Sequence, residues 1–404
     1  MKIAVIGGGA AGFFAAISAK ENYPESEVII LEKSQQLLSK VKISGGGRCN
    51  VTNGCATIDQ LCTAYPRGGR QLKKLFGVFN NHHTIEWFES RGVPLTIQED
   101  NCVFPASQDS QTIIDCFLGE TERLGIKITT GTGIEDIKAA SEGINIYYKD
   151  IKREPQLFNK VIIATGGSPK REGLFWLERC GHKIVDPLPS LFSFNMPAEP
   201  VKNLMGVVVE KAAVTIQGTK IKADGALLIT HWGMSGPAIL KLSSFGARIL
   251  KERDYNFKIG INWINEPNFD IVSDEIDSII AEHSGKMLSS VRPYSIPVRL
   301  WIHLLEKCEI SADKRWSELG KKGINRIVNT LINDEYSVKG KATFREEFVT
   351  CGGVSLDSVN MNTLESKVVP NLYFAGEVLD IDAITGGFNL QAAWTTGFIA
   401  GKLG

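Results

Sequence analysis

Three glycines near the amino terminus are spaced to bring backbone N–H groups against a nucleotide phosphate. The apolar run Lys2–Ile6 is short enough for one buried parallel strand, and Gly7, Gly9 and Gly12 follow it in a G-x-G-x-x-G motif. In such a motif the first glycine permits a tight turn, the second allows close approach of a pyrophosphate, and the third lets the following helix pack closely on the sheet. The motif therefore predicts a dinucleotide whose pyrophosphate lies at the positive end of that helix.

The elements after the motif agree with this prediction. A helix of small residues is expected over about Ala10–Asn22, and Glu27–Leu31 is predicted as a second buried strand. Glu32 ends that strand twenty residues after Gly12, where the motif places a carboxylate that accepts hydrogen bonds from the two hydroxyls of an adenosine ribose. Because a carboxylate favours a free 2′-hydroxyl over a 2′-phosphate, the tightly bound nucleotide is expected to be FAD or NAD and not NADP.

A second unusual stretch, residues 44–50, reads Ser-Gly-Gly-Gly-Arg-Cys-Asn. Glycine costs stability inside helices and strands, so three in succession indicate a backbone that lies directly against a flat ligand or a phosphate. Arg48 would supply positive charge there, and Asn50 would supply hydrogen bonds. The alternative for this stretch taken alone is a flexible solvent loop.

The string KISGGGRCNVTN at 42–53, following the amino-terminal motif, resembles the YhiN/BaiN family of FAD-dependent oxidoreductases. Later motifs occur in the family's order: ATGG at 164–167, THWGMSGPA at 230–238, and NLYFAGEVLD and TGGFNLQ at 371–380 and 385–391. The resemblance covers essentially the whole chain. Several groups in the family are assigned as NAD(P)H-linked reductases.

The resemblance implies an α/β fold with a two-dinucleotide-binding, Rossmann-like FAD domain of the glutathione-reductase type and an inserted β-rich lobe and helical lobe. In that wider class a carboxylate at the position of Glu377 binds the FAD ribitol. The N–H groups at the start of the closing helix can face flavin N1 and O2 and stabilise negative charge on the reduced ring. The residues predicted to bind FAD are Gly7, Gly9, Ala10, Ala11, Gly12, Glu32, Lys33, Ser44, Gly45, Gly46, Gly47, Arg48, Cys49, Asn50, Ala164, Thr165, Gly166, Gly376, Glu377, Asp380, Gly387, Asn389, Leu390 and Gln391.

A chain of 404 residues is too long for one ordinary hydrophobic core, so two or three lobes are expected. Four prolines between positions 187 and 200 indicate where the chain leaves the FAD-binding domain. The predicted parts are an FAD-binding domain at 1–188 and 351–404, a β-rich, barrel-like lobe at 189–263 and 336–350, and a helical lobe at 264–335.

The composition excludes several classes of protein. Lys plus Arg and Asp plus Glu both number 45, which argues against a protein dominated by nucleic-acid or membrane-surface binding. No segment is long and apolar enough to be predicted to span a bilayer. The eight cysteines form no C-x-x-C pair and show no metal-ligand spacing. We therefore expect a cytoplasmic protein with reduced thiols, no metal site and no disulfide-reductase chemistry.

The leading functional hypothesis is hydride transfer from NAD(P)H through flavin N5 to a conjugated C=C or C=O of a small molecule. No second G-x-G-x-x-G occurs, so the nicotinamide is expected to bind transiently. His231 is the candidate catalytic acid or base of the insertion, because an imidazole titrates near neutrality. The alternative for His231 is a hydrogen-bonding role that orients its turn.

Three other functions stay open at this level. One is an FAD oxidase of small amines, a label that parts of the family carry. Another is flavin-dependent reduction of a pyrimidine in RNA, with a phosphate-binding basic cluster of Arg67, Arg70, Lys73 and Lys74 at the start of a helix predicted over 67–91. The third is a non-enzymatic flavin sensor whose helical lobe binds a partner. The sequence specifies neither the nicotinamide nor an oligomeric state.

Overall fold

Two sheets, one parallel and one antiparallel, organise the protein. The structure is a computed structural model and describes residues 1–342 and 349–404. Residues 343–348, in the predicted return to the FAD-binding domain, lie outside the described residues. The described residues form two units, 1–190 with 349–404 and 191–342.

The strands, in chain order, are β1 (Lys2–Ile6), β2 (Glu27–Leu31), β3 (Thr52–Asn53), β4 (Leu95–Ile97), β5 (Cys102–Pro105), β6 (Lys127–Thr129), β7 (Ile134–Ala140), β8 (Gly143–Tyr148), β9 (Gln156–Phe158), β10 (Lys160–Ile163), β11 (Ile184–Pro189), β12 (Phe194–Asn195), β13 (Val208–Ile216), β14 (Lys222–Ile229), β15 (Gly233–Ser235), β16 (Asn256–Asn262), β17 (Asp334–Lys339), β18 (Thr350–Val354) and β19 (Leu372–Phe374). The α-helices are α1 (Ala10–Asn22), α2 (Ser39–Ile43), α3 (Ile58–Thr63), α4 (Gly69–Phe76), α5 (Asn81–Glu89), α6 (Ser110–Arg123), α7 (Phe175–Arg179), α8 (Pro237–Glu252), α9 (Phe269–His283), α10 (Val298–Lys307), α11 (Gly320–Ile332) and α12 (Phe388–Ala400).

The first unit is built on a five-stranded parallel sheet in the order β19-β10-β1-β2-β6. Parallel pairing aligns Ile6 with Leu31 on one side and with Ile163 on the other, so the chain leaves these three strands at the same edge of the sheet. The strand order reverses at β1, and ligands of open α/β sheets bind at such a point, outside the carboxyl ends of the strands. The predicted α/β, Rossmann-like fold is confirmed, and β1, α1 and β2 have the predicted bounds.

The first and last helices pack closely through small residues. A Cβ atom at Gly397 would lie 2.7 Å from the carbonyl oxygen of Ala11, and one at Gly401 would lie 2.6 Å from the Cβ of Ser18. The Ser18 hydroxyl also donates a hydrogen bond of 2.7 Å to the carbonyl oxygen of Phe398. Because α12 is buried on nearly every face, it lies in the core of the first unit and holds the two ends of the chain together.

The helix predicted over 67–91 is wrong in its extent, because the structure has two helices there. α4 ends at Phe76, and α5 begins only at Asn81. The side chain of Asn80 accepts hydrogen bonds from the N–H groups of His82 and His83 and so caps a new first turn. This local cap competes with continuation of the helix, which explains the break.

The second unit combines a six-stranded sheet with helices around one core. The sheet order is β12-β15-β14-β13-β16-β17, and its pairs are antiparallel. Buried strand residues such as Ile259 belong to the same apolar cluster as Leu242 of α8 and Trp301 of α10. The stretches predicted as a β-rich lobe and a helical lobe thus share a single hydrophobic core within the described residues.

Smaller sheets complete the first unit, in the orders β3-β5-β4, β7-β8-β9 and β11-β18. β11 ends at Pro189 and β18 begins at Thr350, so this antiparallel pair lies where the chain leaves and re-enters the first unit. Among residues 1–342 and 349–404, no helix is long and apolar enough to cross a membrane.

Candidate dinucleotide site

The three glycines of the amino-terminal motif have different surroundings in the turn between β1 and α1. A Cβ atom at Gly7, where φ is +116°, would overlap the carbonyl oxygen of Ala164, and one at Gly12 would overlap the carbonyl oxygen of Gly7. A Cβ atom at Gly9 would have no atom within 4 Å. The outer glycines are therefore required by packing, while Gly9 borders open space. The first N–H groups of α1 have no acceptor within the helix, so the amino terminus of α1 is suited to binding an anion.

Glu32 lies at the end of β2 beside this turn. Its Oε2 accepts a hydrogen bond of 2.7 Å from the N–H of Gly8, and its Oε1 accepts one of 2.8 Å from the N–H of Ser34. A carboxylate offers about four lone-pair sites, so two are left for a ribose diol after these bonds fix its orientation. Lys33, the next predicted residue, is exposed.

Residues 45–47 all have the left-handed backbone conformation that glycine adopts without strain. Gly45, Gly46 and Gly47 have φ values of +59°, +68° and +85°. A Cβ atom at Gly45 would lie 2.8 Å from the nitrogen of Asn50, whereas positions 46 and 47 have no atom within 4 Å of such a Cβ. The Ser44 hydroxyl donates to the carbonyl oxygen of Val41 at 2.9 Å. Two of the three glycines therefore present bare backbone to open space.

Arg48 and Cys49 follow this turn and point in different directions. The Arg48 guanidinium lies over the ring of Phe104, 4.1 Å from its centroid, and donates to the carbonyl oxygen of Gly45 at 3.2 Å and to Oε1 of Gln108 at 3.3 Å. The cation is thus held flat and half-buried, a geometry suited to a phosphate. Cys49 is buried, and burial raises the pKa of its thiol to about 12, so the thiol is neutral.

The second and last glycine-rich motifs form one structural unit. The Asn53 amide donates to the carbonyl oxygen of Gly386 at 3.2 Å, and the Trp394 indole donates to that of Val51 at 2.8 Å. In the amide orientation that satisfies its neighbours, Asn50 accepts a hydrogen bond of 3.2 Å from the N–H of Gly387. The loop of residues 380–387, named here the closing loop, is therefore attached to the turn at 44–50.

The ATGG turn after β10 also lies at the carboxyl edge of the parallel sheet. Ala164 is buried and Thr165 is exposed, while Gly166 has a φ of +74° and no atom within 4 Å of a Cβ placed there. A Cβ at the next glycine would overlap the hydroxyl of Thr350. This turn thus adds a third stretch of open backbone beside the first two.

Glu377 lies close to this turn and is held by three donors. Its Oε1 accepts hydrogen bonds from the N–H of Thr350 at 2.9 Å and from the hydroxyl of the same residue at 3.2 Å. Its Oε2 forms an ion pair of 2.6 Å with Lys40, whose side chain is 57% exposed. An exposed lysine exchanges partners at little cost, so this carboxylate is available to a ligand hydroxyl.

The side chain of Gln391, a residue predicted to bind FAD, lies in the core. It is wholly buried, and its Oε1 accepts from the hydroxyls of Thr52 at 2.5 Å and Thr84 at 2.9 Å. Its Nε2 donates to the hydroxyl of Thr395 at 3.0 Å. Its position on α12 directs this amide into the core, where its hydrogen bonds connect β3, α5 and α12.

Two other predicted side chains also stabilise the loops themselves. The Asn389 amide spans the closing loop, accepting from the N–H of Ala383 at 2.9 Å and donating to its carbonyl oxygen at 3.0 Å. Asp380 accepts a hydrogen bond of 2.9 Å from the N–H of Gly352. Gly387, in the left-handed region at φ +86°, precedes α12, so the N–H groups of Asn389 and Leu390 lie in the first turn of that helix.

The predicted residues around α1, the 44–50 turn and α12 are brought together by direct contacts. A Cβ at Gly376 would lie 2.7 Å from the Cβ of Ala11, and the N–H of Gly376 donates to the hydroxyl of Thr396 at 2.8 Å. Open-faced glycines at 9, 46, 47 and 166 and two helix amino termini thus belong to one unit. This arrangement fits an elongated dinucleotide with a pyrophosphate and a flat ring.

His231 lies in the second unit, in the turn between β14 and β15. It is exposed, and its ring packs edge-on against Trp232 at 4.4 Å between centroids. The turn is closed by a hydrogen bond of 2.8 Å from the N–H of Thr230 to the carbonyl oxygen of Gly233. The catalytic role of His231 stays a prediction.

The predicted basic cluster is corrected in one member. Arg67 forms a buried ion pair with Asp382, whose side chain is fully buried. Lys73 pairs with Asp59 at the surface, and Arg70 and Lys74 are exposed. Sequence reasoning missed Asp382, although a carboxylate between Ile381 and Ala383 in an apolar stretch signals a buried charge that needs a partner.

The sheet order and the glycine-lined edge define a Rossmann-fold flavoprotein of the oxidoreductase class. The comparisons with known proteins agree with this class. The chain belongs to the HI0933-like protein Rossmann domain family, whose model matches residues 1–403. The resemblance to the YhiN/BaiN family of FAD-dependent oxidoreductases is confirmed.

Two curated relatives match along nearly their full lengths. The chain is 28% identical over 409 residues to a 3-dehydro-bile acid delta(4,6)-reductase of Clostridium scindens, which covers 99% of this chain and 98% of that protein. It is 26% identical over 406 residues to a ribosomal RNA dihydrouridine synthase of Escherichia coli, with coverages of 97% and 95%.

Solved structures show the same fold at low sequence identity. A 3-ketosteroid-delta4-(5alpha)-dehydrogenase from Rhodococcus jostii matches with a TM-score of 0.52 at 12% identity, covering 99% of this chain and 96% of that one. A 3-ketosteroid delta1-dehydrogenase from Sterolibacterium denitrificans matches with a TM-score of 0.52 at 12% identity, with coverages of 99% and 98%.

Proposed function

We propose that this protein is an NAD(P)H-driven reductase that uses FAD to reduce a conjugated C=C or C=O of a small molecule. The observation that carries the proposal is the set of open-faced glycines and helix amino termini at the carboxyl edge of the parallel sheet. The curated relative named as a delta(4,6)-reductase supports the substrate class, because its name describes reduction of carbon–carbon double bonds. When bound, FAD supplies hydride transfer between a nicotinamide and an electron-poor double bond.

In this proposal the residues around α1 bind the adenosine half of the cofactor. The N–H groups of Ala10, Ala11 and Gly12 face the pyrophosphate, where the helix dipole adds favourable charge. Glu32 accepts hydrogen bonds from the ribose diol. Arg48, already stacked on Phe104, supplies positive charge to the phosphates without further loss of side-chain freedom.

The flavin half is bound by residues of the carboxyl-terminal motif. Glu377 accepts a hydrogen bond from a ribityl hydroxyl in place of its exposed partner Lys40. The first N–H groups of α12 stabilise negative charge on the pyrimidine side of the reduced ring. The Cys49 thiol is neutral, so it adds no negative charge beside the glycine turn at 45–47.

His231 is the proposed proton donor to the substrate carbon that does not receive the hydride. The side chain is exposed, so it is accessible to a substrate and to exchange with solvent protons. Histidine is the side chain that most often transfers protons in enzymes, which suits an acid that is reprotonated in each turnover. Trp232 packs against one side of the ring and limits its orientations.

Anaerobic stopped-flow mixing of the FAD-loaded protein with NADH and, separately, NADPH tests the proposal. We expect loss of the oxidised-flavin absorbance with at least one of them. The absorbance should then return on addition of 4-androstene-3,17-dione, a conjugated enone, and not with 5α-androstane-3,17-dione, which lacks the conjugated bond. A flavin that neither nicotinamide reduces contradicts the reductase.

A second candidate is reduction of a pyrimidine in RNA. Relatives in Escherichia coli and Haemophilus influenzae are named ribosomal RNA dihydrouridine synthase, and a pyrimidine C5=C6 bond is also a conjugated double bond. Burial of Arg67 removes one cation from the predicted phosphate-binding cluster. Reoxidation of the reduced flavin by transcribed ribosomal RNA, with dihydrouridine in the digested product, would favour this candidate over the steroid enone.

A further inference from the structure

Arg67 and Asp382 form a buried, bidentate ion pair in the first unit. The Arg67 Nε donates to Oδ1 of Asp382 at 2.5 Å, and its Nη2 contacts Oδ2. The same Nη2 donates to the hydroxyl of Ser190 at 2.9 Å, and that hydroxyl donates to Oδ2 of Asp382. The Arg67 side chain is 10% exposed and that of Asp382 is fully buried. The pair is therefore shielded from solvent and geometrically constrained.

Further contacts join the segment that carries Arg67 to the closing loop and the start of α12. The N–H of Ile384 donates to the carbonyl oxygen of Ala64 at 2.9 Å, and the Tyr65 hydroxyl donates to that of Phe388 at 2.6 Å. A Cβ atom at Gly68 would lie 2.7 Å from Cγ1 of Ile381. Residues 64–69, named here the bracing segment, thus contact the closing loop and the first residue of α12.

A buried ion pair fixes the relative orientation of two chain segments more reliably than it stabilises the fold. Removing two charges from water costs about as much as their attraction returns, so an apolar pair of the same size is often equally stable. A bidentate guanidinium–carboxylate pair instead specifies the angle and distance between the two chain segments. Burial raises the pKa of Asp382 and the Arg67 guanidinium opposes that rise, so the charge of Asp382 depends on Arg67.

We propose that Arg67 is a positioning residue for the flavin. Through Asp382 it sets the course of the closing loop, and hence the direction of the first N–H groups of α12, which face the pyrimidine side of the ring in the proposed function. This inference rests on that proposed function. It assigns Arg67 to cofactor orientation and not to RNA binding, and it predicts an effect on the flavin potential that a merely structural ion pair would not have.

The test uses variants of the whole chain. For each variant we measure the FAD dissociation constant and, with FAD bound, the flavin midpoint potential and the thermal unfolding temperature. Arg67→Lys keeps the charge and loses the bidentate geometry, and Arg67→Met with Asp382→Asn removes both charges. Arg91→Met is the matched control, because Arg91 also forms part-buried ion pairs, but with Glu21 of α1 and Glu120 of α6 instead of with the closing loop.

We expect Arg67→Lys and the double variant to raise the FAD dissociation constant by about tenfold and to lower the midpoint potential, since misdirected donors stabilise the reduced ring less well. The double variant should unfold closer to the wild-type temperature than Arg67→Met alone, because Asp382 is not left as an unpaired buried charge. Arg91→Met should leave both flavin measurements unchanged. Wild-type potentials in both Arg67 variants would overturn the positioning role, whereas a wild-type protein that takes up no FAD would overturn the proposed function first.

Discussion

Gly397 of α12 lies in direct contact with the backbone of Ala11 in α1, two residues that are far apart in the sequence. A Cβ atom at Gly397 would be 2.7 Å from the Ala11 carbonyl oxygen and 3.0 Å from the Cβ of Phe14. Gly376, which follows β19, approaches the side chain of the same alanine. The amino-terminal motif and the carboxyl-terminal motif are therefore held at one fixed distance by small residues.

Gly397→Ala should destabilise the protein because the added methyl group has no room. We expect a loss of about 1–3 kcal/mol in the free energy of unfolding, the usual cost of overpacking. Gly119→Ala is the matched control, since Gly119 is also helical but has no atom within 4 Å of a Cβ. That variant should gain up to about 1 kcal/mol. Urea unfolding of both proteins checks the pair, and equal effects would contradict the close packing of α1 and α12.

Gly9→Ala and Gly12→Ala should separate ligand contact from folding. Gly9 has φ −97° and ψ −169°, which alanine adopts freely, and its Cβ would enter open space. We expect Gly9→Ala to fold normally and to bind FAD about tenfold or more weakly, because the methyl group blocks the pyrophosphate. Gly12→Ala should fail at folding. Thermal unfolding and FAD fluorescence give the two readouts, and wild-type FAD affinity in Gly9→Ala would place the phosphate elsewhere.

Arg48→Lys should weaken cofactor binding although the charge is kept. A lysine loses the planar contact with Phe104 and cannot keep the guanidinium's hydrogen bonds to Gly45 and Gln108. We expect the FAD dissociation constant to rise by about tenfold. Lys42→Gln removes a nearby exposed charge that contacts Gln111, and it should leave the constant unchanged. Equal losses in both variants would mean that only general charge matters.

The buried, neutral ring of His182 should make the free energy of unfolding smaller in mild acid. Its Nδ1 lies 3.1 Å from the Leu177 carbonyl oxygen and its Nε2 lies 2.8 Å from the Ser366 hydroxyl, which also accepts from the N–H groups of Val368 and Val369. The ring is therefore neutral with its proton on Nδ1. Burial lowers the pKa of His182 below its ordinary value of 6.5.

Below pH 6.5 the unfolded chain binds a proton that the folded chain does not, so the free energy of unfolding falls as the pH drops toward the folded pKa. We expect this one group to contribute a slope of at most about 1.4 kcal/mol per pH unit in that window. Urea unfolding between about pH 5 and 7 should show a smaller slope for His182→Gln. An unchanged slope would show that other groups account for the acid sensitivity.

His231→Asn should separate the two half-reactions. Flavin reduction by the nicotinamide and FAD binding should keep their wild-type values, because every residue predicted to bind FAD belongs to the first unit and His231 is proposed to act only on the substrate. Reoxidation by 4-androstene-3,17-dione should slow by about 10²–10⁴-fold, the usual contribution of a general acid. Rapid mixing of the pre-reduced protein with the enone measures this rate. A wild-type rate would leave His231 with the orienting role alone.

Much of the first unit was predictable from short-range patterns. β1, α1 and β2 follow from apolar runs and small residues, and the spacing of Gly7, Gly9, Gly12 and Glu32 predicts their places at the edge of the sheet. Each of these features depends on neighbours within a few residues or on one repeated supersecondary unit. The prediction of one helix over 67–91 is wrong for a cause that is also local, because the side chain of Asn80 caps the start of a second helix.

Local sequence therefore determined the class of fold, the family and the glycine-lined turn between β1 and α1. Only the tertiary structure decided which polar side chains are buried and support the loops. Gln391 is turned into the core by Thr52 and Thr84, and Arg67 is buried because Asp382, 315 residues away, requires a cation. Such roles depend on partners that meet only when distant segments pack, so no spacing along the chain could reveal them.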